Sequence, residues 1–382
     1  MTAPHDPTAS YRERVLARLQ ATYGPDARIT CTSTRALGYS ISFRFVVDQE
    51  GGPVVGLFAK VRRASKFGGY EAVDPQSKTA RLGRLEFETL ERAHAWFSQH
   101  TPDLGVVRPV AYVDDCHALV VAAAEGLALD QIVRQQHPLQ LAAVSRAGRW
   151  LRAFHAHVGD AVVTGWSAAP FIARIKKVCS ALSEVGVEAD VVRALEERVT
   201  AQATRLEGRP SLEALVHGDY KLRHVWTTPL RMEVLDFGNV HVAPVVEDIA
   251  AFLVELEVAE FGAMRNSGPR TPALAAAFLD GYGPINTPAT LSLQLVLARM
   301  KKWARRRRKP SSSRAARRVQ QLLQLTGTDG FARRQWIDPF FLSRVDAELR
   351  WLEASSAAVE PSVAFTGPLS EVMALPGSTE RG

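Results

Sequence analysis

Apolar residues at Val15, Leu16, Leu19 and Tyr23 keep the spacing of one helix face and predict a short amphipathic helix over Tyr11 to Tyr23. The pattern then shifts to short apolar runs, Ile41–Val47 and Val54–Val61, which read as strands around the turn Asp48-Gln49-Glu50-Gly51-Gly52. Lys60 interrupts the second run, VVGLFAKV, where an ammonium either snorkels to water from an edge strand or needs an anionic partner. A helix predicted over Arg84 to Ser98 puts Glu86 on the inward stripe with Leu90, Ala93 and Phe97, while Glu88 and Glu91 look outward. Between these elements, Arg63–Gly83 reads as a long loop. Ala118–Ala124 is an apolar strand ending at Glu125-Gly126, with a helical pattern from Leu129. Leu141, Val144, Ala147, Leu151 and Phe154 mark a helix over Leu139 to His157, with His155 beside the stripe. Phe171–Leu206 supplies further helices, and Leu212–Val216 is a strand. Strands early and helices late define an α+β chain.

The chemistry concentrates in two segments, HGDYKLRHVW (His217–Trp226) and VLDFGNV (Val234–Val240). Between them the sequence predicts a tight antiparallel hairpin, with Thr228-Pro229-Leu230-Arg231 as the turn. A turn centred near Leu230 places His224 opposite Asp236 at the open end, with Asp219 just upstream. Phosphoryl transfer to a hydroxyl needs one carboxylate to take the proton and another to hold the cation that bridges phosphate oxygens. Asp219 suits the first role and Asp236 the second. Lys221 is placed to neutralise charge on the transferred group, and His217 to brace the turn.

Together these residues resemble the H-G-D-x-x-x-x-N and D-F-G signatures of the aminoglycoside phosphotransferase-like kinases, relatives of the protein kinases. Pro244 and Asp248-Ile249-Ala250 follow in the same order, Asp248 as a helix cap or a brace for the catalytic loop. The resemblance implies ATP, Mg²⁺ with Mn²⁺ as the alternative ion, and a hydroxyl-bearing small molecule: a sugar, an amino alcohol or an aminoglycoside-like acceptor. It implies a two-lobed protein-kinase-like fold, with a nucleotide-binding lobe over 1–124 and a catalytic and acceptor-binding lobe over 125–353; the Ala-, Ser- and Pro-rich composition of 354–382 reads as a flexible tail. The resemblance also pairs Lys60 with Glu86 to grip the α and β phosphates. Ser40, in Arg35–Ser40, falls where the main chain would cover phosphates, and Ala124 where a hinge would meet adenine; ordinary turns explain both segments equally well. One departure stands out. His224 occupies the position of a metal-binding asparagine, and Mg²⁺ prefers oxygen to imidazole nitrogen. His224 therefore leaves open a single well-held metal, a softer ion, a hydrogen-bonding role, or a nucleotide- or partner-binding protein with impaired turnover. Asn239 offers either a substitute oxygen or a turn cap.

Composition adds limits. No GxxxxGK[ST] occurs, which excludes a Walker-type NTPase. No apolar stretch approaches about 18 residues and the start, MTAPHDPTAS, lacks the features of a signal peptide, so a cytoplasmic protein is expected. Cys31, Cys116 and Cys179 show no metal or redox spacing. The formal charge of +7 is local: Arg299–Arg318 holds eleven of the 47 basic residues and no acidic one, leaving 36 basic against 40 acidic elsewhere, a net of −4. That run reads as a solvated helix face, a grip on an anionic ligand or membrane surface, or a weak nucleic-acid contact; Trp303 alone interleaves it, so no base-stacking platform is expected. An acidic acceptor pocket at Glu255, Glu257 and Glu260 is the converse option.

Overall fold

A computed structural model describes residues 8–63, 77–261, 270–308 and 337–355. The chain divides into two compact units, residues 1–139, 150–159 and 217–241 in one, and 140–149, 160–216 and 242–382 in the other.

The first unit opens with α1 (Ala9–Tyr23), whose Tyr11, Val15 and Leu19 are buried. Strands β1 (Arg28–Ala36), β2 (Ser40–Asp48), β3 (Val55–Arg62), β5 (Pro109–Val113) and β6 (Ala118–Ala122) form an antiparallel sheet in the order β1-β2-β3-β6-β5. Alternating apolar residues of β2, β3 and β6 join α1 in one core that includes Phe43, Phe45, Leu57, Ala59, Val61 and Val120. Lys60 thus lies on the central strand, which removes the edge-strand reading. β1 carries mostly polar, exposed residues, so no hydrophobic pattern announces it. The long helix α2 (Lys78–His100) begins six residues before the predicted Arg84, because Ser77 caps it, its side chain accepting from the Ala80 amide. The loop expected over Arg63–Gly83 therefore ends early, and its residues 64–76 lie outside the described ones.

A second small sheet runs β4-β11-β10-β7, with β4 (Leu104–Val106), β7 (Leu127–Ala128), β10 (Val225–Thr227) and β11 (Met232–Val234). The hairpin β10–β11 pairs Val225 with Val234 and Thr227 with Met232. Its turn closes through the Thr228 amide on the Arg231 carbonyl at 2.8 Å. The register is symmetric about Pro229–Leu230, one step from the prediction, so His224 faces Leu235, whose amide donates to the His224 carbonyl at 3.0 Å. Beneath this hairpin, Trp150 stacks with Phe97, Phe154 and Tyr220 at 5.3, 5.1 and 5.4 Å, and its indole N–H donates to the Gly105 carbonyl. These flat contacts fix the floor of the 217–241 segment.

The second unit is mainly helical: α5 (Ala168–Glu184), α6 (Ala189–Arg205), α7 (Val246–Phe261), α8 (Arg270–Tyr282), α9 (Pro288–Arg308) and α10 (Asp338–Ser355), with a small sheet that includes β8 (Val162–Gly165) and β9 (Pro210–Val216). Here part of the basic run turns inward. Arg299 is buried between Glu257 at 2.7 Å and Glu348 at 3.2 Å, Lys302 pairs with Glu255, Arg307 with Asp338, and Arg308 with Glu184. Burying a guanidinium requires such partners. Four of the described cations of the run, and the carboxylates of Glu255 and Glu257, are thus engaged in ion pairs, while Lys301 and Arg305 face solvent. Residues 309–318, the tail beyond Ser355 and the side chain of Glu260 lie outside the described set. No described helix is long and apolar enough to cross a membrane.

Candidate active site

The 217–219 turn is shaped by Gly218, whose φ of +72° suits glycine, and where a Cβ would meet the Asn239 carbonyl oxygen at 2.1 Å. His217, fully buried, accepts the Asp219 amide on Nδ1 at 3.4 Å, which leaves Nε2–H to donate to the Leu235 carbonyl at 3.2 Å. It braces the turn against the second motif. Asp236 has a φ of +70°, a left-handed backbone that costs a non-glycine residue free energy unless its surroundings hold it. This bend turns the Asp236 carboxylate back toward His224 despite the shifted register, with His224 Nε2 at 3.4 Å from Oδ2.

His224 is almost wholly buried, and burial pushes its pKa down to about 4, so the ring is neutral near pH 7. Arg223 Nε–H donates to Nε2 at 3.0 Å. Nε2 therefore carries the lone pair, and Nδ1–H donates to the Asp219 carbonyl at 2.9 Å. Asp219 is itself paired with Lys221. Asp219, His224 and Asp236 bring ligand atoms to within 4.8 Å of one another. Two carboxylates and a neutral imidazole nitrogen fit a divalent cation once Arg223 releases Nε2, and the nitrogen weights the set toward ions more imidazole-tolerant than Mg²⁺. Asn239 is exposed, and its carbonyl accepts from His241 Nδ1 at 2.8 Å, a turn contact.

Lys60 Nζ lies 3.0 Å from Glu86 Oε1 and 2.6 Å from Asp236 Oδ1. Burial disfavours the ammonium, but Glu86 and Asp236 outweigh it and hold the Lys60 pKa above its ordinary value. Burial would likewise raise the Asp236 pKa, yet Lys60 holds that carboxyl well below the usual range. Sequence reasoning missed Arg62, which donates to Glu86 Oε2 at 2.5 Å and to the Gly238 carbonyl at 3.1 Å. The signal was available, since residues two apart on a strand share a face and Arg62 follows Lys60 by two. Ser40 begins β2, where its carbonyl accepts the Leu37 amide at 2.7 Å, and Ala124 follows β6. Each offers main chain rather than charge.

An antiparallel-sheet unit accompanied by a mainly helical unit is the arrangement of the protein-kinase-like phosphotransferases. The sequence profile of the phosphotransferase enzyme family matches residues 70–295, more than half of the chain, and the chain belongs to that family as a small-molecule kinase. No curated protein matches the sequence. Among solved structures, the chain is similar to a glucosamine kinase at 17% identity and a TM-score of 0.53, over 93% of this chain and 86% of that one. A glucosamine kinase in complex with glucosamine, ADP and inorganic phosphate is similar at 17% identity and 0.50, over 92% and 89%. A type VIII aminoglycoside-3'-phosphotransferase is similar at 20% identity and 0.41, over 76% and 97%.

Proposed function

We propose that the chain moves the γ-phosphate of ATP to a hydroxyl of a small molecule, with Asp219 as the base. The observation that carries this reading is the convergence of Asp219, His224 and Asp236 within 4.8 Å, one hydrogen bond from the Lys60–Glu86 pair. Asp219 takes the acceptor's hydroxyl proton, the freed oxygen bonds to the γ-phosphorus, and the bond to the β-phosphate oxygen breaks to release ADP. Lys60, oriented by Glu86, clamps the α and β phosphates. Lys221 holds Asp219 and shifts its charge toward the phosphoryl group as it leaves ADP. Asp236, and His224 once Arg223 releases its Nε2, would hold a divalent cation, Mg²⁺ or Mn²⁺. That ion, when bound, neutralises charge on the β and γ oxygens. Ser40 and Ala124 serve phosphate and adenine through their main chain. The lobes of the sequence reading, 1–124 and 125–353, correspond to nucleotide and acceptor binding, and three free thiols suit a cytoplasmic setting.

The acceptor belongs to the hydroxyl-bearing metabolites. Amino sugars are the first class to try, because a fold relative was captured with glucosamine and ADP. Nucleotide binding with impaired turnover is the second reading, favoured by Arg223 occupying the His224 lone pair. Transfer from γ-labelled ATP to a pooled panel of sugars, amino sugars and amino alcohols, with Mg²⁺ and with Mn²⁺, tests the choice. Labelled product supports the kinase reading; nucleotide binding with no labelled product from any acceptor or water supports the second.

A further inference from the structure

Glu86 is a buried carboxylate served by two cations, and the two are not equivalent. Lys60 is shared between Glu86 and Asp236, reaching the latter at 2.6 Å. Arg62 is committed to Glu86 Oε2, through Nη2 at 2.5 Å and Nε at 3.2 Å, and its Nη2 also meets the Gly238 carbonyl at 3.1 Å. Gly238 has no side chain to bar this approach; a Cβ there would lie 2.5 Å from Arg62 Nη2 and 3.1 Å from Lys60 Nζ. Two residues upstream, Asp236 sits in its left-handed backbone at φ +70°. That conformation persists only where neighbours hold it. If Lys60 transfers to a phosphate, Asp236 gives up its shortest side-chain partner at the moment it must bind a cation. Among the described residues, the link from Glu86 of α2 to the 236–238 segment that survives this exchange is Arg62, which is only slightly exposed.

We propose that Arg62 is a positioning residue: it ties the Glu86 side chain to the Gly238 carbonyl and so keeps Asp236 aimed when Lys60 turns to the nucleotide. The nucleotide part rests on the kinase reading above; the tether does not. Two measurements on the full-length protein separate them. Hydrogen exchange of the ligand-free protein reads the tether: in Arg62→Met the amides of Phe237 to Val240 exchange faster than in wild type, while the β2, β3 and β6 amides keep their protection. Equal exchange at Phe237–Val240 would overturn the proposal whatever the protein binds. Affinity for a non-hydrolysable ATP analogue, in EDTA and in Mn²⁺, reads the positioning. Partners that orient a metal ligand change metal affinity by about 10- to 100-fold, so the gain in affinity that Mn²⁺ confers drops by at least about tenfold in Arg62→Met. Affinity in EDTA changes less than that. A drop of equal size with and without Mn²⁺ would make Arg62 a phosphate ligand and defeat the positioning role, as would an intact Mn²⁺ gain. Arg62→Gln, which keeps a donor and most of the packing, is read the same way should the methionine variant not fold. A wild type that binds no ATP analogue would remove the kinase reading and leave exchange at Phe237–Val240 to decide the tether.

Discussion

Replacing Gly218 by alanine adds one methyl group and places it where the backbone of another segment already stands. The Cβ would fall 2.1 Å from the Asn239 carbonyl oxygen, 3.0 Å from its carbonyl carbon and 3.0 Å from His241 Nδ1. A φ of +72° alone costs an L-residue about 1–2 kcal/mol. The nearest contact is main chain, so no rotamer relieves it, and overpacking of this kind adds about 1–3 kcal/mol. The total, roughly 2–5 kcal/mol, is relieved by displacing either the 217–219 turn or the 239 strand exit. Asp219 is the next residue, and a misplacement of about 1 Å at a reacting group costs about a hundredfold in rate. Gly218→Ala is therefore expected to fold with a lowered melting temperature, by roughly 2–4 °C per kcal/mol, and to transfer phosphate about a hundredfold more slowly in single-turnover assays with γ-labelled ATP. Wild-type melting together with a wild-type rate would refute the steric argument; lowered melting with an unchanged rate would detach Asp219 from catalysis.

Lys60→Met removes the cation shared by Glu86 and Asp236, and equilibrium binding of ATP should weaken by at least about tenfold, or roughly 1.4 kcal/mol; unchanged affinity would reject the clamp. Arg299→Met strands two buried carboxylates, and urea unfolding should show a loss of about 3–5 kcal/mol. Burial raises the Glu348 pKa above 4.5, so the folded state binds that proton more tightly than the unfolded chain and stability falls as pH rises through the window. The deficit of Arg299→Met should thus be larger at pH 8 than at pH 5, and a loss below about 1 kcal/mol would return the basic run to the surface. His224→Asn should keep or raise activity and strengthen the preference for Mg²⁺ over Mn²⁺; a drop of at least about tenfold would give the imidazole a task of its own.

The apolar patterns and the two motifs carried much of the fold in the sequence. Lys60 and Glu86 could be picked out because each is a charge on an otherwise apolar face, and their separation in sequence is bridged by a strand and a helix of ordinary geometry. β1 could be expected only as a strand somewhere before Arg35, because an edge strand with exposed, polar residues leaves no hydrophobic alternation to bound it. The basic run misled for the opposite reason. Charge density hid a helical period in which Arg299, Trp303 and Arg307 recur every four residues and point inward, to carboxylates supplied by α7 and α10. The left-handed bend at Asp236 was equally hidden, since aspartate tolerates a positive φ better than most residues but nothing in the sequence marks which aspartate adopts one; it is what restores the meeting with His224 that the register alone would have missed.

The central claim is that Asp219 removes the acceptor proton in a site that also binds ATP. Nucleotide affinity and single-turnover transfer, measured on the same preparations of wild type and Asp219→Asn with the best acceptor of the panel, test it most directly. ATP affinity is expected to be similar in both, and the transfer rate lower by about 10²–10⁴-fold in the variant. Equal rates at equal occupancy would contradict it.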